Sequence, residues 1–148
     1  MAPTHAELAG LLPASSIHLS STASTRDDAI REAGALLVAA GAVEPDYVDQ
    51  MLARERVVST FVGDGIAMPH GTLTAKSDVL NEGLAVLLLD RPIDWAGQPV
   101  TLVIGIAAHG RRYITLLSQL ATALLDDGRA TSLREATTAE QVRTLLAS

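Results

Sequence analysis

The residues best suited to chemistry stand in one run, Gly63-Asp64-Gly65-Ile66-Ala67-Met68-Pro69-His70-Gly71-Thr72, which holds a histidine between a proline and a glycine. Pro69 lacks an N–H, fixes its own φ and drives Met68 into an extended conformation, so a strand entering the run is expected to end there. Gly71 carries no Cβ and has access to positive φ, which would clear space beside the imidazole and turn backbone N–H groups toward it. An imidazole with a pKa of about 6.5 is mostly unprotonated at neutral pH, and its free nitrogen is a nucleophile. The chemistry this layout suits is a ring nitrogen of His70 accepting a group while Gly71 and Thr72 donate hydrogen bonds to an anion. The other ring nitrogen is then expected to keep its proton and donate it to a carbonyl or carboxylate. The plainer alternative is a turn that contains a histidine.

Other chemistries find little support. The chain has no cysteine, so disulfides and thiolate catalysis are excluded, in keeping with a cytoplasmic protein. No Gly-x-Ser-x-Gly elbow is present, and the four histidines show no pair at metal-binding spacing, so no metal is expected. His5 and His18 read as ordinary surface or half-buried residues. The net charge of −6, with no basic run, argues against a nucleic-acid binder. No apolar run is longer than Leu84 to Leu89, which is too short to span a bilayer, and the start of the chain lacks the pattern of a signal peptide.

A length of 148 residues suits one domain, here taken as residues 1–148. Its core must be aliphatic, because 48% of the residues are apolar and only 3% aromatic. Residues 4–12 read as a brief helix stopped by Pro13, and Ser16 to Ser20 as a short strand. Thr25 with Asp28 marks a helix start, and Ala29, Ile30, Ala33, Leu36, Leu37 and Ala40 keep helical spacing to Gly41. Pro45 opens the next predicted helix, with Tyr47, Val48, Met51 and Leu52 as its apolar stripe through about Arg56. Short strands at 60–62 and 66–68 flank the Gly63-Asp64-Gly65 turn. Two apolar strands follow at 83–89 and 100–108, separated by a turn through Asp94, Gly97 and Pro99. Helical spacing returns over 112–125, and Thr138 with Gln141 signals a final helix. Helices at both ends with apolar strands between predict an α/β, single-domain α-β-α sandwich, its sheet covered by helices on both faces.

At this point the residues resemble a family. Gly-Ile-Ala-Met-Pro-His-Gly-Thr at 65–72 is similar to the active-site segment of enzyme IIA domains of the mannitol/fructose class, from the bacterial sugar phosphotransferase system. Met51-Leu52-Ala53-Arg54-Glu55 resembles the family's Met-Leu-x-Arg-Glu segment. Leu102 to Ala108 resembles its late strand in a mannitol-like form, and Leu124-Leu125-Asp126-Asp127 also falls in place. The Pro92 to Pro99 turn is closer to fructose-type or regulatory members.

The resemblance implies a mixed sheet of about five strands and a phosphoryl carrier without metal or organic cofactor. It implies that a histidine-containing phosphocarrier protein phosphorylates His70, at Nε2 in mannitol-type members, and that the group passes to a cysteine of a IIB component during sugar uptake. The alternative is a regulatory IIA paralogue that binds a target protein according to its phosphorylation state. Arg54 matches the family's arginine near the phosphoryl site, where a guanidinium fork suits phosphate oxygens. Mannitol-type members often carry a second histidine where this chain has Tyr113. A phenol can donate to phosphate but carries no positive charge, so two readings stand: Tyr113 as a core residue, or as a partial substitute. His109, with Arg111 and Arg112, is expected to supply a replacement cation or else to form an exposed basic loop.

Overall fold

The computed structural model describes residues 5–72, 78–108, 111–124 and 128–147. Its elements are α1 (His5–Gly10), a 3-10 turn at Ala14–Ser16, β1 (Ile17–Ser21), α2 (Arg26–Ala39), α3 (Tyr47–Val57), β2 (Phe61–Gly63), β3 (Ile66–Ala67), β4 (Gly83–Trp95), β5 (Gln98–Ala107), α4 (Arg111–Leu124), α5 (Arg129–Arg134) and α6 (Ala139–Ala147). The strands form one mixed sheet in the order β1-β4-β5-β3-β2. Pairs β1/β4 and β3/β5 are parallel, and pairs β4/β5 and β2/β3 are antiparallel.

Side-chain alternation along the two long strands builds two cores. Leu84, Val86 and Leu88 of β4 join Leu102, Ile104 and Ile106 of β5 in the layer covered by α1, α4, α5 and α6. Ala85 and Leu87 join Val103 and Ala107 in the opposite layer, under α2 and α3. This is the expected sandwich, with helices on both faces of five strands.

Local signals place the starts of α2 and α6. Thr25 Oγ1 accepts from the Asp28 N–H at 3.1 Å, and Asp27 and Asp28 set negative charge in the first turn of α2. Thr138 and Gln141 form a reciprocal capping box, with Gln141 N–H donating to Thr138 Oγ1 at 3.1 Å and Thr138 N–H to Gln141 Oε1 at 3.3 Å.

Three local expectations need correction. Pro45 is not in the first turn of α3; it belongs to the tight turn before it, where its carbonyl accepts the Val48 N–H at 3.2 Å. Strand β4 does not stop near Leu89 but runs through a register irregularity to Trp95. Its partner is reached by a two-residue loop, Ala96-Gly97, with φ of +53° and +90°. A two-residue hairpin loop with both residues left-handed matches strand twist, which lets one antiparallel ribbon replace the expected pair of separate strands. Helix α5 was not expected at all; its six residues are too few for periodicity to declare them.

Candidate active site

Strand β3 pairs in parallel with β5, placing Ile66 opposite Leu102 and Ala67 opposite Val103. The chain then leaves the ladder at Met68-Pro69 and touches β5 again where His70 faces Ile106. Proline dictates this detour, because it removes one ladder donor and fixes its own φ. The segment is pinned on both sides of the gap. Met68 N–H donates to the Thr60 carbonyl at 3.0 Å, and Ile106 N–H donates to the Pro69 carbonyl at 3.0 Å.

His70 is 5% exposed. Its Nδ1 donates to the Met68 carbonyl at 2.9 Å, and since a carbonyl only accepts, this contact puts the ring proton on Nδ1 and a lone pair on Nε2. The Tyr113 hydroxyl donates to that Nε2, and the two rings lie 4.5 Å apart between centroids at 56°. The His70 pKa is lowered to about 4, chiefly because burial penalises the imidazolium. The Met68 hydrogen bond raises it, the Arg54 charge lowers it and the Glu55 charge raises it, each by less than burial. At neutral pH His70 is therefore an uncharged imidazole whose Nε2 lone pair needs no general base to free it. Burial also raises the Tyr113 phenol above its ordinary value, more than the Arg54 charge lowers it, so the hydroxyl keeps the proton it donates.

Arg54 lies in the last turn of α3, where its Nη1 donates to the Val58 carbonyl at 2.7 Å just beyond the helix end. It is partly buried, and its charge acts on both His70 and Tyr113. The fold thus brings His70, Arg54 and Tyr113 together from three elements. His109 lies outside the described residues. Arg112 forms a forked ion pair with Glu82, with contacts of 2.9–3.0 Å, so its guanidinium is committed to a carboxylate. His18 pairs with Glu32 at 2.7 Å on β1, apart from this site.

The reading of Gly71 changes. Its φ is not positive, and its N–H donates to the Tyr47 hydroxyl at 2.8 Å instead of pointing at an open anion site. The glycine is required by close approach: a Cβ there would sit 2.5 Å from a Tyr47 ring carbon. Thr72 likewise turns its hydroxyl to Gln50 Oε1 at 3.0 Å.

Two residues of α3 support the site in ways the sequence reading did not assign, having taken Tyr47 only as part of an apolar stripe and Glu55 only as part of a matching segment. Tyr47 accepts from Gly71 and donates to the Ile106 carbonyl at 2.8 Å, clamping the histidine turn to β5. Desolvation raises its pKa to about 12, so it stays a phenol. Glu55 is 3% exposed and accepts from Thr60 N–H at 2.9 Å, Thr60 Oγ1 at 2.5 Å and Trp95 Nε1 at 2.6 Å. The signal was present: Tyr47, Met51 and Glu55 recur every four residues, so the acid continues the apolar stripe of α3 and faces inward.

The family described as phosphoenolpyruvate-dependent sugar phosphotransferase system, EIIA 2, matches residues 10–148. The chain belongs to that family. It is accordingly a phosphotransferase-system component of the EIIA 2 type. The mannitol-specific phosphotransferase enzyme IIA component of Halalkalibacterium halodurans is 40% identical over 136 residues, covering 92% of this chain and 94% of that protein. The multiphosphoryl transfer protein of Salmonella typhimurium is 45% identical over 131 residues, but the chain spans only 35% of its length. Among solved structures, mannitol IIA of Escherichia coli superposes with a TM-score of 0.85 at 39% identity, covering 91% of this chain and 98% of that one. The same TM-score of 0.85, at 38% identity, is found for the mannitol IIA of Escherichia coli in complex with phosphorylated mannitol IIB, covering 93% of this chain and 99% of that one.

Proposed function

We propose that this EIIA 2 chain carries a phosphoryl group on Nε2 of His70, taking it from a histidine-containing phosphocarrier protein and giving it to a cysteine of a IIB component during sugar uptake. The observation that carries this reading is the pairing of Nδ1–H with the Met68 carbonyl, which leaves the Nε2 lone pair as the nucleophile. In the first step that lone pair forms a bond to phosphorus as the donor's phosphorus–nitrogen bond breaks. In the second, the cysteine thiolate attacks phosphorus, and the bond electrons return to Nε2. The transition state is loose, so positioning and compensation of the equatorial oxygens supply most of the catalysis.

Arg54 is the cation for those oxygens. The Tyr113 hydroxyl leaves Nε2 as the phosphoryl group arrives and donates to one of its oxygens instead. Gly71 acts through its packing on Tyr47, and Thr72 flanks the turn; a part for His109 belongs to the same proposal. The likeness to mannitol-specific relatives over nearly the whole chain supports mannitol-type uptake over a regulatory role. Exchange with a phosphocarrier protein and a IIB component, whether that component is membrane-linked or separate, calls for a carrier in the cytoplasm; among the described residues no helix is long and apolar enough to cross a membrane.

Incubation with phosphoenolpyruvate, enzyme I and the phosphocarrier protein tests the reading. One acid-labile phosphoryl group is expected per chain. His70→Ala should abolish it and His18→Ala should not; retained labelling in His70→Ala would overturn the assignment.

A further inference from the structure

Glu55 is a buried carboxylate that the transfer chemistry above does not use. Burying a charge is costly unless hydrogen bonds compensate it, and three donors converge on this one. Two of them come from a single residue, Thr60, so the carboxylate fixes both the backbone and the side chain at the entrance to β2. The Thr60 carbonyl in turn accepts the Met68 N–H at 3.0 Å, and the Met68 carbonyl accepts from His70 Nδ1 at 2.9 Å. Met68 is thereby held on its amide side by Thr60 and on its carbonyl side by the catalytic ring. Trp95, fully buried on β4, supplies the third donor and ties the carboxylate to the sheet.

We propose that Glu55 is a positioning residue for His70: acting through Thr60 and Met68, its carboxylate keeps the proton on Nδ1 and aims the Nε2 lone pair outward. This rests on the phosphoryl-carrier reading for its purpose but not for its geometry. Helix α3 then serves the site twice from consecutive positions, with Arg54 turned toward the phosphoryl group and Glu55 inward to the support of the ring. Glutamine is the informative replacement. It has nearly the shape of glutamate, but its amide is neutral and its NH2 cannot accept the Thr60 hydroxyl proton, so that bond must reverse and the bonds from Thr60 N–H and Trp95 lose their charge assistance. The loss should loosen Thr60, let the Met68 carbonyl turn away and admit the other tautomer of His70.

The test is 15N NMR of the His70 ring at neutral pH in the unphosphorylated protein, alongside steady-state transfer from the phosphocarrier. The parent should show one protonated-type and one unprotonated-type ring nitrogen. In Glu55→Gln the two shifts should move toward each other, and kcat should fall by about tenfold to a hundredfold with KM for the phosphocarrier unchanged. Thr60→Val, which keeps the carboxylate and loses only the hydroxyl arm, should change the same shifts in the same direction, and Thr60→Ser should recover most of the parent behaviour. Parental ring shifts in a folded Glu55→Gln would overturn the proposal. If Glu55→Gln does not fold, parental shifts and kcat in Thr60→Val overturn it equally. The ring measurement needs no phosphoryl transfer. Altered shifts in a chain that proves not to be labelled on His70 would therefore sink the carrier reading and leave the positioning role standing.

Discussion

Nδ1 of His70 meets a carbonyl only two residues back in the chain, whereas Nε2 meets a phenol 43 residues away. The Nδ1 side is braced by buried, mutually supporting contacts: Thr60 on Met68, Ile106 on Pro69 and Tyr47 on Gly71. The Nε2 side offers one hydroxyl, from a half-buried tyrosine on α4, and the charge of Arg54 at the end of α3. In the role proposed for His70, a carrier nitrogen must be held in one tautomer yet released to a new bond in each cycle. The division of the ring between a fixed face and an exchangeable face meets both needs, since hydrogen bonds in a low-dielectric, fully satisfied network resist rearrangement and a single contact does not. The histidine is positioned from behind and served from in front.

The sharpest way to break the exchangeable face is to remove its charge. Arg54→Ala should slow phosphoryl transfer by about tenfold to a thousandfold, the loss typical of one preorganised donor, and Arg54→Lys should restore part of it because an ammonium lacks the fork. Rapid-quench transfer from the labelled phosphocarrier measures this, and a parental rate in Arg54→Ala would leave the cation with only its helix-end contact to Val58.

Acid acts on the exchangeable face, since Nδ1 already holds its proton against the Met68 carbonyl and the next one must go to Nε2. The His70 pKa is lowered from 6.5 to about 4, so the unfolded chain binds this proton more readily than the folded one. Stability from this group is therefore complete above pH 6.5 and is lost as the pH falls through the window from 6.5 to 4. The full loss is roughly 3 kcal/mol at 1.36 kcal/mol per pKa unit. Urea titrations across that window should show the parent losing more stability than His70→Ala. Transfer, by contrast, should hold level down to about pH 5, because the ring stays neutral there. An ordinary midpoint near 6.5 by NMR would contradict both statements.

Tyr47→Phe sharpens the comparison by stripping one brace and leaving the ring in place. It deprives the buried Gly71 N–H and Ile106 carbonyl of their shared partner, at a cost of about 1–3 kcal/mol for groups left unsatisfied. Chemical denaturation should report that loss. The smallest effect belongs to Tyr113→Phe. If the hydroxyl follows the phosphoryl group, transfer should slow only several-fold, as one neutral hydrogen bond allows, and Tyr113→His should match or exceed the parent, since charge-assisted bonds to phosphate are roughly twice as strong. A silent Tyr113→Phe would reduce the tyrosine to a packing residue and leave Arg54 to serve Nε2.

What the sequence by itself determined is what short-range rules govern. The Thr25 and Thr138 caps, the end of β3 before Pro69 and the alternating faces of the long strands all follow from residues within a few positions of one another. Even the Nδ1 contact is local, reaching back only to Met68. Only the tertiary structure decided why Gly71 is a glycine, because the reason is a tyrosine ring 24 residues earlier and not a backbone angle. Only it could commit Arg112 to Glu82, set the Tyr113 hydroxyl on Nε2 and turn Glu55 from the next letter after an arginine into a buried anchor. Those partners are joined by the packing of α3, α4 and the sheet around one segment. Such packing depends on the summed fit of many side chains distant in sequence, which no local spacing records.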